Sequence, residues 1–91
     1  MNLRYSDDAW ETMQRLPEAQ RAQARQLIRA IMLAEVPVGR LWIRDLRGRQ
    51  LWIASALDTH VIHRAVYSRT ANTMYIIHIL TFPTPPDPNN S

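Results

Sequence analysis

The sequence predicts an α+β domain in which two N-terminal helices pack on one face of a small, mainly antiparallel sheet of four or five strands. Helical patterns, with apolar residues three and four positions apart, occupy residues 6–35. Strand-like segments separated by short turns occupy residues 40–82, and consecutive strands with short connections usually pair antiparallel. One sheet face must then cover the helices, and the other is left open to water or to a ligand.

The helical part begins after a short alternating strand at residues 2–5. Ser6 suits a helix N-cap, because acidic residues follow it in the first turn. Pro17 ends this helix or starts the next one at its first position, and residues 18–35 predict the second helix. We expect its polar face to be a solvated arginine stripe, or alternatively to meet an acidic partner. The stripe consists of Arg21, Arg25 and Arg29.

Pro37 and Gly39 end the helical part, and four strands are predicted after them. These strands cover residues 40–46, 50–57, 60–68 and 73–82. The last strand is the most apolar, so we expect it to lie centrally in the sheet. The chain is therefore predicted to form one domain over residues 1–82, followed by a flexible, proline-rich tail at residues 83–91.

Composition excludes several classes of protein. The chain of 91 residues has no cysteine, which excludes a disulfide scaffold and a thiolate metal site. Its longest apolar run is too short to cross a bilayer, and its N-terminus lacks the apolar core of a secretion signal. We therefore expect a cytoplasmic protein with no membrane partner. Arginine is the basic residue throughout, since the chain has no lysine. The formal net charge of +3 permits a polyanionic partner without requiring one.

The tripeptide Leu-Trp-Ile occurs twice in the stretch RLWIRDLRGRQLWIA, residues 40–54. The two copies predict successive strands joined by a basic turn, in which Gly48 supplies backbone freedom. Arg44, Arg47 and Arg49 surround this turn, and an arginine side chain binds phosphate oxygens through its planar fork. These three arginines are candidate RNA contacts.

Three passages carry a family resemblance. They are MNLRYSDDAW at residues 1–10, LRGRQLW at residues 46–52 and RAVYSRTANTMYIIHIL at residues 64–80. In this order and spacing they resemble the RelE/ParE superfamily of toxins from bacterial type II toxin–antitoxin systems, over about residues 2–82. The resemblance implies the fold predicted above, a cognate antitoxin as partner, and no cofactor. RelE-like members cut mRNA in the ribosomal A site, whereas ParE-like members inhibit DNA gyrase without being nucleases.

The resemblance implies Arg64 as the first catalytic candidate. Arg64 matches the arginine of the family's Arg-x-x-Tyr strand, and its fork suits the charge that develops on a phosphate during cleavage. Strand alternation places it on the face opposite Tyr67, which is also a candidate RNA contact. The alternative is that Arg64 pairs with a carboxylate and only supports its strand.

His78 is the second catalytic candidate, because it matches a histidine in the last strand of many family members. A histidine suits a proton-transfer role because it titrates near neutral pH. The alternative is a half-buried structural histidine. Simple alternation would place it on one face with Met74, Ile76, Leu80 and Phe82. No metal site is expected, since His60 and His63 point to opposite faces of their strand.

Two departures from the family pattern weaken the nuclease prediction. Residues 53–56, Ile-Ala-Ser-Ala, are uncharged where RNA-cutting relatives often carry a charged side chain. Residues 81–84 lack the basic or His/Tyr pair that such relatives often carry. The preferred hypothesis is a ribosome-dependent, metal-independent mRNA endonuclease that inhibits translation. The alternatives are a ParE-like gyrase inhibitor without catalysis, and a non-toxic relative that only binds a partner.

Overall fold

The computed structural model describes residues 1–44, 48–57 and 61–83. Two helices pack on one face of a five-stranded sheet that is antiparallel except for one pair of strands, which confirms the predicted fold class. In chain order the elements are β1 (Asn2–Tyr5), α1 (Asp7–Arg15), α2 (Glu18–Leu33), β2 (Arg40–Arg44), β3 (Gln50–Leu57), β4 (Val61–Arg69) and β5 (Thr73–Pro83). Pro83, which the prediction assigned to the tail, belongs to β5, and the rest of the predicted tail, residues 84–91, lies outside the described residues.

The strand order in the sheet is β1-β5-β4-β3-β2, and β1 runs parallel to β5. The most apolar strand, β5, lies inside the sheet between β1 and β4, as expected, while β4 occupies the middle position. Strand β5 has β4 along its whole length, but β1 covers only Thr73–Ile76. Strand β5 is also buried under α1, and Met74, Ile76 and Ile79 belong to the core.

Ser6 connects the first helix to the sheet. Its hydroxyl oxygen accepts a hydrogen bond from the backbone N–H of Ala9 at 3.0 Å, so the predicted N-cap is confirmed. The same hydroxyl donates to the carbonyl oxygen of Ile77 at 2.5 Å. Pro17 is the residue before α2, which begins at Glu18, and so it does not occupy the first helical position.

Arg21 does not belong to a solvated stripe. Its guanidinium donates three hydrogen bonds to carbonyl oxygens at the end of α1, on Met13 at 2.8 Å, Gln14 at 2.9 Å and Leu16 at 3.0 Å. The last carbonyl groups of a helix have no partner within the helix, so Arg21 satisfies them and holds the two helices together. The other two arginines of the stripe are exposed, as predicted.

Arg21→Met is expected to lower the free energy of unfolding by about 2 kcal/mol, because three carbonyl groups lose a charged donor. Urea denaturation monitored by circular dichroism measures this change. Arg25→Met on the same helix is the matched control and is expected to shift stability by less than about 0.5 kcal/mol. Equal losses in the two variants would contradict the capping role of Arg21.

The core lies between the helices and one face of the sheet. Side chains alternate along β4, so that Ala65 and Tyr67 point into the core while Arg64 points to the other face. We call this other face, which no helix covers, the open face. The buried core cluster consists of Ala9, Met13, Ala24, Leu27, Ile28, Ile31, Ala54, Ala65, Tyr67, Met74, Ile76 and Ile79.

A β-bulge changes which residues of β5 share a face. His78 pairs with Val66 and Ile76 pairs with Tyr67, which leaves Ile77 as an extra residue between them. His78 therefore lies on the open face, whereas Ile76 is buried in the core. The expectation from simple alternation, that His78 shares a face with Ile76, is wrong for this reason. The outer half of β5, including Leu80 and Phe82, shares the open face with His78.

Candidate functional site on the open face of the sheet

A shallow depression of about 330 Å³ lies on the open face, where the start of β2 meets β3 and β4. Its floor and walls combine apolar, hydroxyl and cationic groups. The lining residues are Gly39, Arg40, Ile53, Ser55 and Arg64. Two guanidinium groups beside one hydroxyl make this depression suited to an anion that has several oxygen atoms.

Strands on both sides hold the Arg64 side chain in place. Its Nε donates a hydrogen bond to the hydroxyl oxygen of Ser55, directly across on β3, at 3.1 Å. On the other side, its guanidinium carbon lies 5.2 Å from the ring centre of Phe82 in β5, a cation–π distance. Arg64 forms no ion pair with a carboxylate of the described residues. The paired-arginine alternative thus has no support within those residues, and the terminal nitrogens of Arg64 form no hydrogen bond with them.

The depression is lined by cationic side chains, whereas the helical side carries charges of both signs. Arg40 and Arg64 both lie on the open face and line the depression. The acidic residues of the described ranges all lie in α1, in α2 or just after α2, and they are Asp7, Asp8, Glu11, Glu18 and Glu35. The depression itself is therefore cationic, which favours an anionic ligand there.

His78 lies two residue pairs along the sheet from Arg64, because it pairs with Val66 whereas Arg64 pairs with Leu80. Its Nδ1 is 2.9 Å from a carboxylate oxygen of Asp8 in the first turn of α1. A carboxylate can only accept here, so the Nδ1 of His78 carries the proton and the Nε2 is left as an acceptor when the ring is neutral. The side chain of His78 is 49 % exposed, and the half-buried structural alternative therefore stays open beside the catalytic one.

Tyr67 lies in the core and is fully buried, which removes it from any RNA-binding surface. Its hydroxyl donates to the carbonyl oxygen of Val38 at 2.5 Å, and so it connects β4 to the segment that leads into β2. Burial raises the pKa of Tyr67 above its ordinary value, although this hydrogen bond and the charge of Arg69 act in the opposite direction. Tyr67 is therefore a packing residue.

Two of the three arginines in the β2–β3 turn region belong to the described residues. Arg44 is exposed at the end of β2, and Arg49 is exposed beside Gly48. Arg47 lies outside the described residues, as does His60. Arg44 and Arg49 stay candidate RNA contacts, because both are exposed, but neither lines the depression at Arg64.

Sequence reasoning missed three residues that surround Arg64. Ser55 belongs to the segment at residues 53–56 that was noted for its lack of charge, and Arg40 was given no role. Phe82 was placed at the end of the last strand without a role. Only the register of β3 and β5 against β4 brings Ser55 and Phe82 to the two sides of Arg64.

The described residues show neither a candidate metal site nor a candidate membrane-spanning helix. No cluster of three histidine, cysteine or acidic side chains that suits a metal ion occurs among the described residues. His63 is buried with its Nδ1 3.3 Å from the hydroxyl oxygen of Thr81, and its Nε2 has no hydrogen-bond partner. In the part of the chain that the structure describes, no helix is both long and apolar enough to span a membrane.

Comparisons with known proteins identify no relative. No protein-family model matches the chain, and no curated protein and no solved structure matches it either. The geometry of the open face and the sequence motifs are therefore the observations that bear on its function.

Proposed function

We propose that this chain is the toxin of a type II toxin–antitoxin pair, inhibited by a cognate antitoxin, and that it cleaves mRNA on the ribosome in the cytoplasm. The observation that carries the proposal is Arg64, held by Ser55 and Phe82 on a cationic face with its terminal nitrogens available. Support also comes from the fold class, which agrees with the one that the RelE/ParE resemblance implies.

In this proposal cleavage proceeds without a metal. The Nε2 of His78 takes the proton of the ribose 2′-hydroxyl, and the 2′-oxygen attacks the adjacent phosphorus. The Arg64 fork stabilises the negative charge that builds on the phosphate oxygens. The bond from phosphorus to the 5′-oxygen breaks, which leaves a 2′,3′-cyclic phosphate and a 5′-hydroxyl. Water protonates the leaving oxygen.

A ParE-like gyrase inhibitor is the second candidate, and one observation favours it. On β3 the residues that face the depression are Ile53 and Ser55, so this strand contributes no charged group to catalysis. An open face with Arg40 and Arg64 is suited to binding an acidic protein surface as well as to binding phosphate. A binding-only relative without toxicity would use the same face.

Induced expression with mapping of RNA 5′ ends, together with a gyrase supercoiling assay, separates the three functions. We expect new 5′ ends at codon boundaries in translated mRNA, and we expect them to disappear in Arg64→Ala. Blocked supercoiling with intact mRNA would instead establish the gyrase inhibitor. Normal growth with intact mRNA and normal supercoiling would contradict both toxic functions and leave a binding-only protein.

A further inference from the structure

The carboxylate of Asp8 connects the first turn of α1 to His78 on the open face. Its Oδ2 lies 2.9 Å from the Nδ1 of His78. Within the described residues, neither side chain has another hydrogen-bond partner. The two residues are 70 positions apart in the chain, so the contact exists only because the fold brings α1 and β5 together.

Ser6 and the bulge in β5 set the position of Asp8. The backbone N–H of Ser6 donates to the carbonyl oxygen of Ile76 at 2.8 Å, and its hydroxyl donates to the carbonyl oxygen of Ile77. Ser6 is also the N-cap of α1. The start of the helix is therefore tied to the two residues that precede His78. Because Asp8 follows the cap by two positions, the bulge brings a carboxylate and an imidazole to the same place.

Arg64 lies near this pair on the open face. It pairs with Leu80 whereas His78 pairs with Val66, so Arg64 and His78 are diagonal neighbours on adjacent strands. Diagonal neighbours in a sheet are about 7 to 8 Å apart. One extended ligand on the open face is therefore long enough to contact both side chains.

The contact with Asp8 selects one proton position on the His78 ring. An ionised carboxylate has no hydrogen to donate, so the Nδ1 carries the proton and the Nε2 is the nitrogen left to accept. A negative charge is also favourable in the first turn of a helix, where Asp8 lies. The two side chains are 49 % and 66 % exposed, and ion pairs at such exposure contribute little to stability. The main consequence of the contact is therefore the orientation and the tautomer of the ring.

We infer that Asp8 is a positioning residue for His78. It holds the ring with the Nδ1 protonated and presents an unprotonated Nε2 to the open face, on the same side of the sheet as Arg64. Asp8 itself contacts no substrate and takes up no proton. The use of the Nε2 as a base rests on the proposed function, whereas its protonation is a property of the free chain and is measured without RNA.

Two-bond nitrogen–proton correlation NMR of the ¹⁵N-labelled full chain identifies the protonated nitrogen of each histidine ring. The spectrum is recorded at about pH 8.5, above the usual titration range of histidine. The signals of His78 are those that disappear in His78→Gln. In the unmodified chain we expect a protonated Nδ1 and an unprotonated Nε2.

Asp8→Asn should abolish this preference in the NMR spectrum. The asparagine amide keeps the shape of the carboxylate but turns either its oxygen or its NH₂ group toward the ring, so both tautomers are populated and the two nitrogen signals move toward each other. Asp7→Asn is the matched control, because it removes the same charge from the same helical turn. Asp7 forms no hydrogen bond with His78, and the signals of His78 should stay unchanged in this variant.

Cleavage should depend on Asp8 only while His78 is present. We expect Asp8→Asn to slow single-turnover cleavage of a defined mRNA on ribosomes at least about tenfold, because the wrong tautomer cannot accept the 2′-hydroxyl proton. Asp7→Asn should stay within about twofold of the unmodified chain. In a chain that carries His78→Gln, adding Asp8→Asn should slow cleavage no further. Circular dichroism verifies that each variant folds.

Three outcomes would overturn the positioning role of Asp8. They are a protonated Nε2 in the unmodified chain, His78 signals that respond equally to Asp7→Asn and Asp8→Asn, and a further loss of cleavage from Asp8→Asn in the chain that lacks His78. If the unmodified chain cleaves no mRNA, the proposed function fails, and the NMR comparison still decides whether Asp8 fixes the proton on His78.

Discussion

Replacing Arg64 with alanine is expected to reduce mRNA cleavage on the ribosome by about 100- to 1,000-fold, which is the usual effect of losing a group that stabilises transition-state charge. Arg64→Lys should recover only a small part of the activity, because lysine keeps the charge but lacks the planar fork. The measurement is the rate of cleavage of a defined mRNA on purified ribosomes, under single-turnover conditions.

Ser55→Ala provides the matched control for this prediction. It removes the hydroxyl that accepts from the Nε of Arg64 but leaves the guanidinium in the depression. We expect a loss of about threefold to tenfold, since one hydrogen bond contributes about 1 kcal/mol. Both variants should unfold at nearly the same urea concentration as the unmodified chain. Full activity of Arg64→Ala, or a larger loss in Ser55→Ala, would contradict the assigned role of Arg64.

Gly39→Ala is expected to cost about 3 to 5 kcal/mol of unfolding free energy, a large share of the stability of a small domain. Gly39 has a φ of +93°, which an alanine adopts only with strain. A methyl group at this position would also overlap the backbone oxygen of Ile53, and a paired strand cannot move away from it. Equilibrium urea denaturation measures the loss.

Gly48→Ala is the control that separates backbone strain from steric overlap. Gly48 also has a positive φ, of +80°, but a methyl group there would meet no atom within 4 Å. We expect it to cost only about 1 kcal/mol, the usual penalty for a side chain in this backbone conformation. Equal losses in the two variants would show that the close approach of Gly39 to β3 contributes nothing.

Local chemistry explains why so much of the fold was predictable. The Ser6 cap, the apolar stripe of α2 and the alternation of β4 all depend on neighbours in sequence, and the structure confirms each of them. The prediction for Arg21 was wrong because its partners are carbonyl groups at the end of another helix. A sequence pattern shows that an arginine lies on a polar face, but it does not show which groups approach that face.

The candidate site likewise combines a residue that the sequence motif indicates with residues that only the strand register reveals. Arg64 was found from its motif, and strand alternation alone placed it on the open face. Its partners Ser55 and Phe82 come from two other strands, so only the pairing register reveals them. The contact of His78 with Asp8 depends on the bulge at Ile77, since without the extra residue His78 would point into the core.

The sequence by itself determined the class of the domain, the order of its elements and the two helices. These follow from short-range effects, namely capping, side-chain periodicity and turn residues. Only the tertiary structure decided that β4 is the middle strand, that Tyr67 is buried and that Asp8 contacts His78. Those features depend on strand order and register, which are set by long-range packing between segments distant in sequence.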